Sequence, residues 1–339
     1  MVMERNSKQK SERDIIEHIS NLQGLQSDTN VIKGIGDDCA VLRKDQKSCF
    51  LVTTDTLVAD VHFDLAWHPP FLLGRKTAAV NLSDIAAMGG QPRYAFLNVA
   101  FPGSVPVWLD DFLAGFHEML QEYDTLLVGG DTVKSPNDLS ITVTIIGEAA
   151  EDVICYRSGA VIGDLVFVSG FLGDAAAGLD LYRSGFSADS SSQWRQLVTA
   201  HLDPLPQIKL GKILAESGLV HAMMDISDGL STDLAHICAA SRNGAEIFKE
   251  ALPVSEELKA AAEKLKTPIF DWVLKGGEDY QLLFTASPDH EQDLRQLVAR
   301  EAERKISAVG RIVEGRKVYL CNGKKRHEIS YQGYDHFIG

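Results

Sequence analysis

The sequence predicts a two-domain protein of the α/β or α+β class, with mixed sheets and helices. Three observations carry that expectation. The chain has 339 residues, more than one ordinary core holds. Strand-like apolar runs and helix-periodic stretches are interleaved in both halves. Several neighbouring strand segments lack a helix between them, which argues against a purely parallel, doubly wound sheet. Hydrophobic residues make up 45% and charged residues 24%, a balance that builds a packed core rather than a disordered chain.

Residues 1–10 read as a loose polar tail. Ser11 reads as a helix N-cap, with Asp14 three residues later and Ile15, Ile16, Ile19 and Leu22 at helical spacing. The run 50–54 (FLVTT) has strand chemistry and ends in Asp55. Residues 70–88 read as a long helix stopped by Gly89 and Gly90. A strand is expected over 93–101, a helix over 110–123, a short strand over 126–128 closed by Gly129, Gly130 and Asp131, and a clear strand over 139–147. A boundary near 149–157 divides the chain into 11–150 and 151–339. In the second part, strands are expected over 165–169, 221–226, 280–285 and 306–312. Helices are expected over 173–183, after Pro204 and Pro206 through Leu214, and over 229–240, with 184–192 a polar surface loop.

The formal net charge is −14. Nucleic-acid binders ordinarily carry a basic excess, so that partner is not expected. Phosphate binding by so acidic a chain needs a cation between carboxylate and phosphate. The five cysteines, Cys39, Cys49, Cys155, Cys238 and Cys321, form no CxxC pair. Neither a disulfide framework nor a zinc site is expected, and a reducing cytoplasm fits. The opening residues do not read as a secretory leader, and no apolar run reaches the length of a membrane span.

Aspartates recur beside glycine or small hydroxyl residues. They are Asp37 and Asp38 in GIGDDCA, Asp55 in TTDT, Asp84 in NLSDIAAMGG, Asp131 in GGDT, and Asp225 and Asp228 in MDISDGLSTDL. Magnesium takes oxygen ligands in octahedral geometry, usually one or two carboxylates with waters and phosphate oxygens. Thr53, Thr54 and Ser227 add hydroxyl oxygens. Taken singly, each aspartate reads first as a turn or cap residue, and Asp228 stands where it would cap the helix near Gly229. Taken together, Asp38, Asp55, Asp131 and Asp225 follow or end apolar segments, where side chains converge at one end of a sheet, and the set reads as a metal cluster.

No G-x-x-x-x-G-K-[ST] loop occurs, and no G-x-G-x-x-G follows a strand, so phosphates need another cradle. Gly129 and Gly130 offer backbone N–H groups, and Arg157 in YRSGA offers either a guanidinium fork or a surface ion pair. Lys134 is a weaker candidate. His62 in ADVHF reads first as a packed histidine and second as a ligand. Glu278 and Asp279 in GGEDYQLLF stand where a glycine turn enters a strand. Tyr334 in GYDHF either stacks on a flat ring or anchors the C-terminus.

Eight segments, GIGDDCAVL, TTDTLVADVHF, AVNLSDIAAMGG, GGDT, RSGA, MDISDGLSTDLAHI, GGEDYQLLF and GYDHF, together resemble the thiamine-monophosphate kinase family. That family belongs to the aminoimidazole-ribonucleotide-synthetase-like ATP-binding superfamily. The segments run in family order across nearly the whole chain. The resemblance implies the two-domain fold of that superfamily and a homodimer whose N-terminal domains pair. It implies phosphoryl transfer from ATP to thiamine monophosphate with several magnesium ions. Asp38, Thr53, Asp55, Asp84, Asp131, Asp225 and Asp228 would hold magnesium, with Thr54 a further hydroxyl candidate. Gly130, Asp131, Arg157 and Ser227 would lie at ATP, and His62, Glu278 and Tyr334 would meet thiamine monophosphate. Asp84, Asp131 and Asp228 are the expected catalytic residues.

That chemistry is self-consistent. A phosphate monoester with a second pKa of about 6 is already an anion at neutral pH, so no general base is needed. The obstacle is repulsion between two polyanions, which positioning and charge neutralisation overcome. Rival enzymes of the superfamily fit less well. A hydrogenase-maturation relative needs a C-terminal cysteine, whereas this sequence ends YDHFIG. Selenophosphate synthetase needs an early reactive cysteine, and Cys39 stands among aspartates that suit metal better. An aminoimidazole ribonucleotide synthetase type leaves the VHF and GYDHF segments unexplained. Two other classes remain, a non-catalytic magnesium–nucleotide module and an acidic interaction protein. ADP release with and without thiamine monophosphate tests the first, and magnesium-dependent ATP binding tests the second.

Overall fold

The computed structural model describes residues 10–23, 28–104, 106–186 and 192–337. The expected tail, apart from Lys10, and positions 187–191 of the expected loop lie outside the described residues. The first part runs α1 (Glu12–Gln23), β1 (Val31–Lys33), β2 (Ala40–Arg43), β3 (Ser48–Val58), α2 (Pro70–Ala87), β4 (Gln91–Pro102), α3 (Leu109–Glu122), β5 (Leu126–Ser135) and β6 (Ser140–Ala150). The second continues with β7 (Leu165–Val168), α4 (Asp174–Arg183), α5 (Ser192–Leu202), α6 (Ile208–Glu216), β8 (Val220–Asp225), α7 (Leu230–Ser241) and β9 (Gly244–Phe248). It ends with α8 (Glu256–Leu265), α9 (Ile269–Lys275), β10 (Leu282–Ala286), α10 (Glu291–Glu301), β11 (Ser307–Val313), β12 (Val318–Asn322) and β13 (Lys325–Glu328).

Each part builds one sheet. The first has the order β1-β2-β3-β6-β4-β5 and the second β13-β12-β9-β11-β7-β10-β8. Pairing is antiparallel except for β4 with β5 and β9 with β12. The sheets are therefore mixed, as the missing helices between strands require. In β3 and β6 the period of two is plain: Cys49, Leu51, Thr53 and Leu57, with Ile141, Val143 and Ile145, are buried on one face. The long helix α2 packs between this sheet and the second part, and most of its residues are buried. It meets α3 backbone to backbone, since a Cβ on Gly74 would lie 2.0 Å from the Phe112 carbonyl oxygen.

The α1 capping box forms: the Asp14 N–H donates to Ser11 Oγ at 3.2 Å, and the Ser11 N–H donates to Asp14 Oδ2 at 3.0 Å. Its apolar stripe does not enter a core, because Ile16, Ile19 and Leu22 are exposed. Strand β5 differs from expectation. It does not stop at the glycines but runs on to Ser135. Gly130 has φ +151°, and a Cβ there would lie 1.8 Å from the Leu97 carbonyl oxygen. Glycine is thus needed for the close approach of β5 to β4, next to the register shift at Ala95 and Phe96.

Candidate active site

A cavity of about 1270 Å³ lies between the two parts, lined by α1, β3, α2, the 225–233 and 277–280 segments and the C-terminal 331–336 stretch. Its acidic end is assembled from four elements. Thr53 and Asp55 share the β3 face that meets α2, because residues two apart on a strand point the same way. The Asp55 N–H donates to Asn81 Oδ1 at 3.0 Å, and one turn on Asp84 accepts from Thr53 Oγ1. Asp225 ends β8 and accepts from Ser83 Oγ at 2.5 Å. Asp38 arrives from the β1–β2 connection. One carboxylate oxygen from each of Asp38, Asp84 and Asp225 lies within 4.8 Å of the others.

This cluster holds more negative charge than its neighbours offset. Burial, then the charges of Asp55, Asp225 and Asp38, pushes the Asp84 carboxyl well above its ordinary range. Burial and Asp38 push Asp225 up to about 7, and burial and Glu12 push Asp228 up to about 7. Asp55 is raised too, by burial first and by Asp38. The cation at hand is Arg157, whose Nη2 donates to Asp38 Oδ1 at 2.6 Å and whose backbone N–H donates to Asp37 Oδ1 at 3.0 Å. Asp38 Oδ2 is buried without a hydrogen-bond partner among the described residues. An orphaned carboxylate oxygen beside carboxyls forced toward protonation suits a divalent cation.

The other end is built differently. The 276–281 loop is tied to the 226–228 loop, with the Glu278 N–H donating to the Ser227 carbonyl at 2.7 Å and the Tyr280 N–H to the Ile226 carbonyl at 2.8 Å. Glu278 and Tyr280 adopt φ +67° and +46°, unfavourable for side-chain-bearing residues. Asp279 turns away to the start of α4, accepting the Gly173 and Ala175 N–H groups at 2.6 and 3.2 Å. Glu278 faces the cavity with Lys76 Nζ 2.8 Å and His201 Nδ1 3.0 Å away. His62 Nδ1 accepts the Val58 N–H at 3.0 Å, which leaves Nε2 to carry the ring proton. Tyr334 stands half-exposed at the rim, its ring 4.9 Å from that of His336.

Among the expected residues, Asp38, Thr53, Asp55, Asp84, Arg157, Asp225, Ser227, Asp228, His62, Glu278 and Tyr334 share this cavity. Thr54 lies at its edge, but its hydroxyl is on the opposite face of β3, 3.0 Å from the Thr144 hydroxyl. Gly130 and Asp131 are not brought there; Asp131 sits on exposed β5 beside Asn98 and Thr142. It pairs across β4 and β6 to Thr56, three strands away, or about 14 Å at ordinary strand spacing. Sequence reasoning missed Lys76, His201 and Trp67. The signal for Lys76 was present: it lies in a helix with apolar residues on every side, so it had to be buried.

The two parts, each with its own mixed sheet, match the two domains of the AIR synthase related proteins. The models of their N-terminal and C-terminal domains match residues 36–149 and 161–321. The thiamine-monophosphate kinase of Haemophilus influenzae is 37% identical over 93% of this chain and 94% of its own length. The Escherichia coli enzyme of that name is 37% identical over 90% and 91%. The solved structure of AaThiL complexed with AMPPCP and TMP superposes with a TM-score of 0.84 at 32% identity, covering 99% of this chain and all of that one. The chain belongs to the thiamine-monophosphate kinase family. Its fold class is the one expected. No helix among the described residues is long and apolar enough to cross a membrane.

Proposed function

We propose that this protein transfers the γ-phosphoryl group of ATP to thiamine monophosphate, giving thiamine diphosphate and ADP. The observation that carries this reading is the Asp38, Asp84 and Asp225 cluster, in one cavity with His62, Glu278 and Tyr334. Family membership supplies the substrates. Asp38, Asp84 and Asp225, with Asp55, Asp228 and Thr53 beside them, would hold magnesium. Bound there, magnesium neutralises the phosphates of both substrates and lets them approach. Thr53 and Ser83 fix the carboxylates of Asp84 and Asp225 by hydrogen bonds, so the site is preorganised. Arg157, anchored through Nε and Nη2 on Asp38, presents the rest of its fork to ATP. Ser227 adds a hydroxyl at ATP, and His62 donates from Nε2 to the acceptor substrate.

Gly130 and Asp131 act from a second copy in this reading. The edge strand β5 is exposed on both faces, with Leu126, Leu127, Val128 and Val133 in water, and it supports pairing between copies. Residues 11–150 then carry metal, nucleotide and the dimer contact, and 151–339 complete the cavity. The five cysteines are free, which supports a reducing cytoplasm. The deciding experiment measures ADP formation with magnesium, with and without thiamine monophosphate. Rapid ADP release only with the acceptor, coupled to thiamine diphosphate, is the expected result; ADP release indifferent to the acceptor overturns the proposal.

A further inference from the structure

Glu278 belongs to a charge group whose other members, Lys76 and His201, the phosphoryl-transfer reading does not use. Lys76, on α2, is fully buried, and its Nζ lies 2.8 Å from Glu278 Oε1. His201, on α5 and 2% exposed, places Nδ1 3.0 Å from Glu278 Oε2. The two carboxylate oxygens are thus held by two different elements, one from each half of the chain. His68 adds no second cation; burial and then the Lys76 charge push it down to about 3, so it stays neutral. His201 is likewise driven toward neutrality, by burial and by Lys76. A neutral His201 donates to that carboxylate only with its proton on Nδ1. Burial works to raise the Glu278 carboxyl, but Lys76 and His201 outweigh it and keep it ionised.

The group therefore carries no net charge: one ammonium, one carboxylate and one neutral imidazole. It offers the cavity the remaining lone pairs of a fixed carboxylate rather than an unpaired negative charge. The walls beside it are flat and apolar, from Trp67, Ala176 and Leu179. Trp67 is itself braced, its ring 4.8 Å from Tyr182 and 5.8 Å from His201. A flat apolar slot with an aligned acceptor suits a neutral heteroaromatic ring that bears an exocyclic amine.

We infer that Lys76 and His201 are positioning residues that lock Glu278 as a hydrogen-bond acceptor for the aminopyrimidine ring of the substrate, and so set specificity for that amine. This rests on the reading of thiamine monophosphate as acceptor and of Glu278 as its contact. The strained backbone at Glu278 agrees, because a conformation of that kind persists only where its surroundings hold it.

The test compares thiamine monophosphate with its analogue in which a carbonyl replaces the pyrimidine amine. Steady-state constants are measured for the wild type and for Glu278→Gln, Lys76→Met, His201→Leu and His201→Asn. The wild type is expected to favour the amine strongly, since an acceptor site left facing an acceptor loses binding. Lys76→Met and His201→Leu should each raise KM for thiamine monophosphate about tenfold, move kcat and the KM for ATP far less, and shrink the preference for the amine. His201→Asn, which keeps a donor where Nδ1 stood, should restore that preference. A wild-type preference in Lys76→Met and His201→Leu, with Glu278→Gln losing it, overturns the inference but leaves Glu278 as substrate contact. An unchanged preference in Glu278→Gln overturns both. Should Lys76→Met fail to fold, the His201 pair decides alone.

Discussion

The two ends of one cavity use the same chemical group to opposite effect. At one end Asp38, Asp84 and Asp225 crowd together with Arg157 as counter-ion, and Asp84 and Asp225 are pushed toward the protonated form. At the other, Glu278 is held ionised by Lys76 and His201. Burial opposes charge at both ends, so depth alone does not distinguish them. The partners do. A carboxylate cluster left short of positive charge is a site waiting for a cation, whereas a carboxylate with its own cation offers hydrogen bonds and shape.

The sharpest way to break this contrast is to remove charge from the acidic end. Asp84→Asn should lower kcat by about two to three orders of magnitude, the scale seen when a charge-stabilising group is lost. The same substitution should leave the metal-free protein at least as stable, because it relieves repulsion among Asp55, Asp84 and Asp225. Turnover assays and thermal unfolding of one preparation check both halves. Near-wild-type kcat at limiting magnesium, or a large drop in melting temperature, contradicts the account of this end.

Removing charge from the other end should do the reverse. Lys76→Met strands a carboxylate and should cost about 3 kcal/mol of stability. The double variant Lys76→Met with Glu278→Gln should lose less than the two single variants summed, by about 2 kcal/mol. Urea unfolding of the four proteins measures it, and strict additivity would mean that the pair is not coupled.

The contrast also marks what was legible in the sequence. Aspartates beside glycines and hydroxyls were enough to nominate Asp38, Asp55, Asp84, Asp225 and Asp228, and the fold brings them to one cavity although Asp55 lies within β3 and Asp84 within α2. The strands and helices around them were legible too, because burial imposes its period on the residues. What stayed hidden was long-range pairing. Lys76 and His201 are 125 positions apart and show no motif; only the packing of α2 against α5 and the 276–281 loop joins them. Asp131 differs from these. Its GGDT motif reads as the close of a strand, but β5 runs on to Ser135, so within one copy Asp131 stands outside the cavity.

A smaller effect separates the two ends by pH. Asp225 and Asp228 have folded values of about 7 against an ordinary 3.8, so the metal-free folded protein keeps protons that the unfolded chain releases. The stability they give is complete below 3.8 and is lost as pH rises through 7. Glu278 acts oppositely: its contribution is present above its ordinary 4.5 and is lost as pH falls below that. In chelator, the acidic end should make the protein less stable at about pH 7.5 than at about pH 5, by about 2 kcal/mol. Magnesium at the higher pH should return that loss by binding the folded form. Stability that rises across this interval in chelator, or does not respond to magnesium, removes the case for an unmatched cluster.

The smallest effect belongs to Tyr334, 49% exposed at the rim. An aromatic contact is worth about 0.5–1.5 kcal/mol beyond its area, and water competes for a ring this open. Tyr334→Leu should therefore raise KM for thiamine monophosphate only about two- to tenfold, with kcat and the KM for ATP nearly unmoved. Tyr334→Phe should match the wild type, because the hydroxyl's nearest partner, His336 Nδ1, is 3.4 Å away, a weak bond. This profile is the mirror of Asp84→Asn, which should strike kcat. If Tyr334→Leu lowers kcat instead, the ring acts on the reacting phosphates, and the division of the cavity into a charge-neutralising end and a ring-reading end fails at its rim.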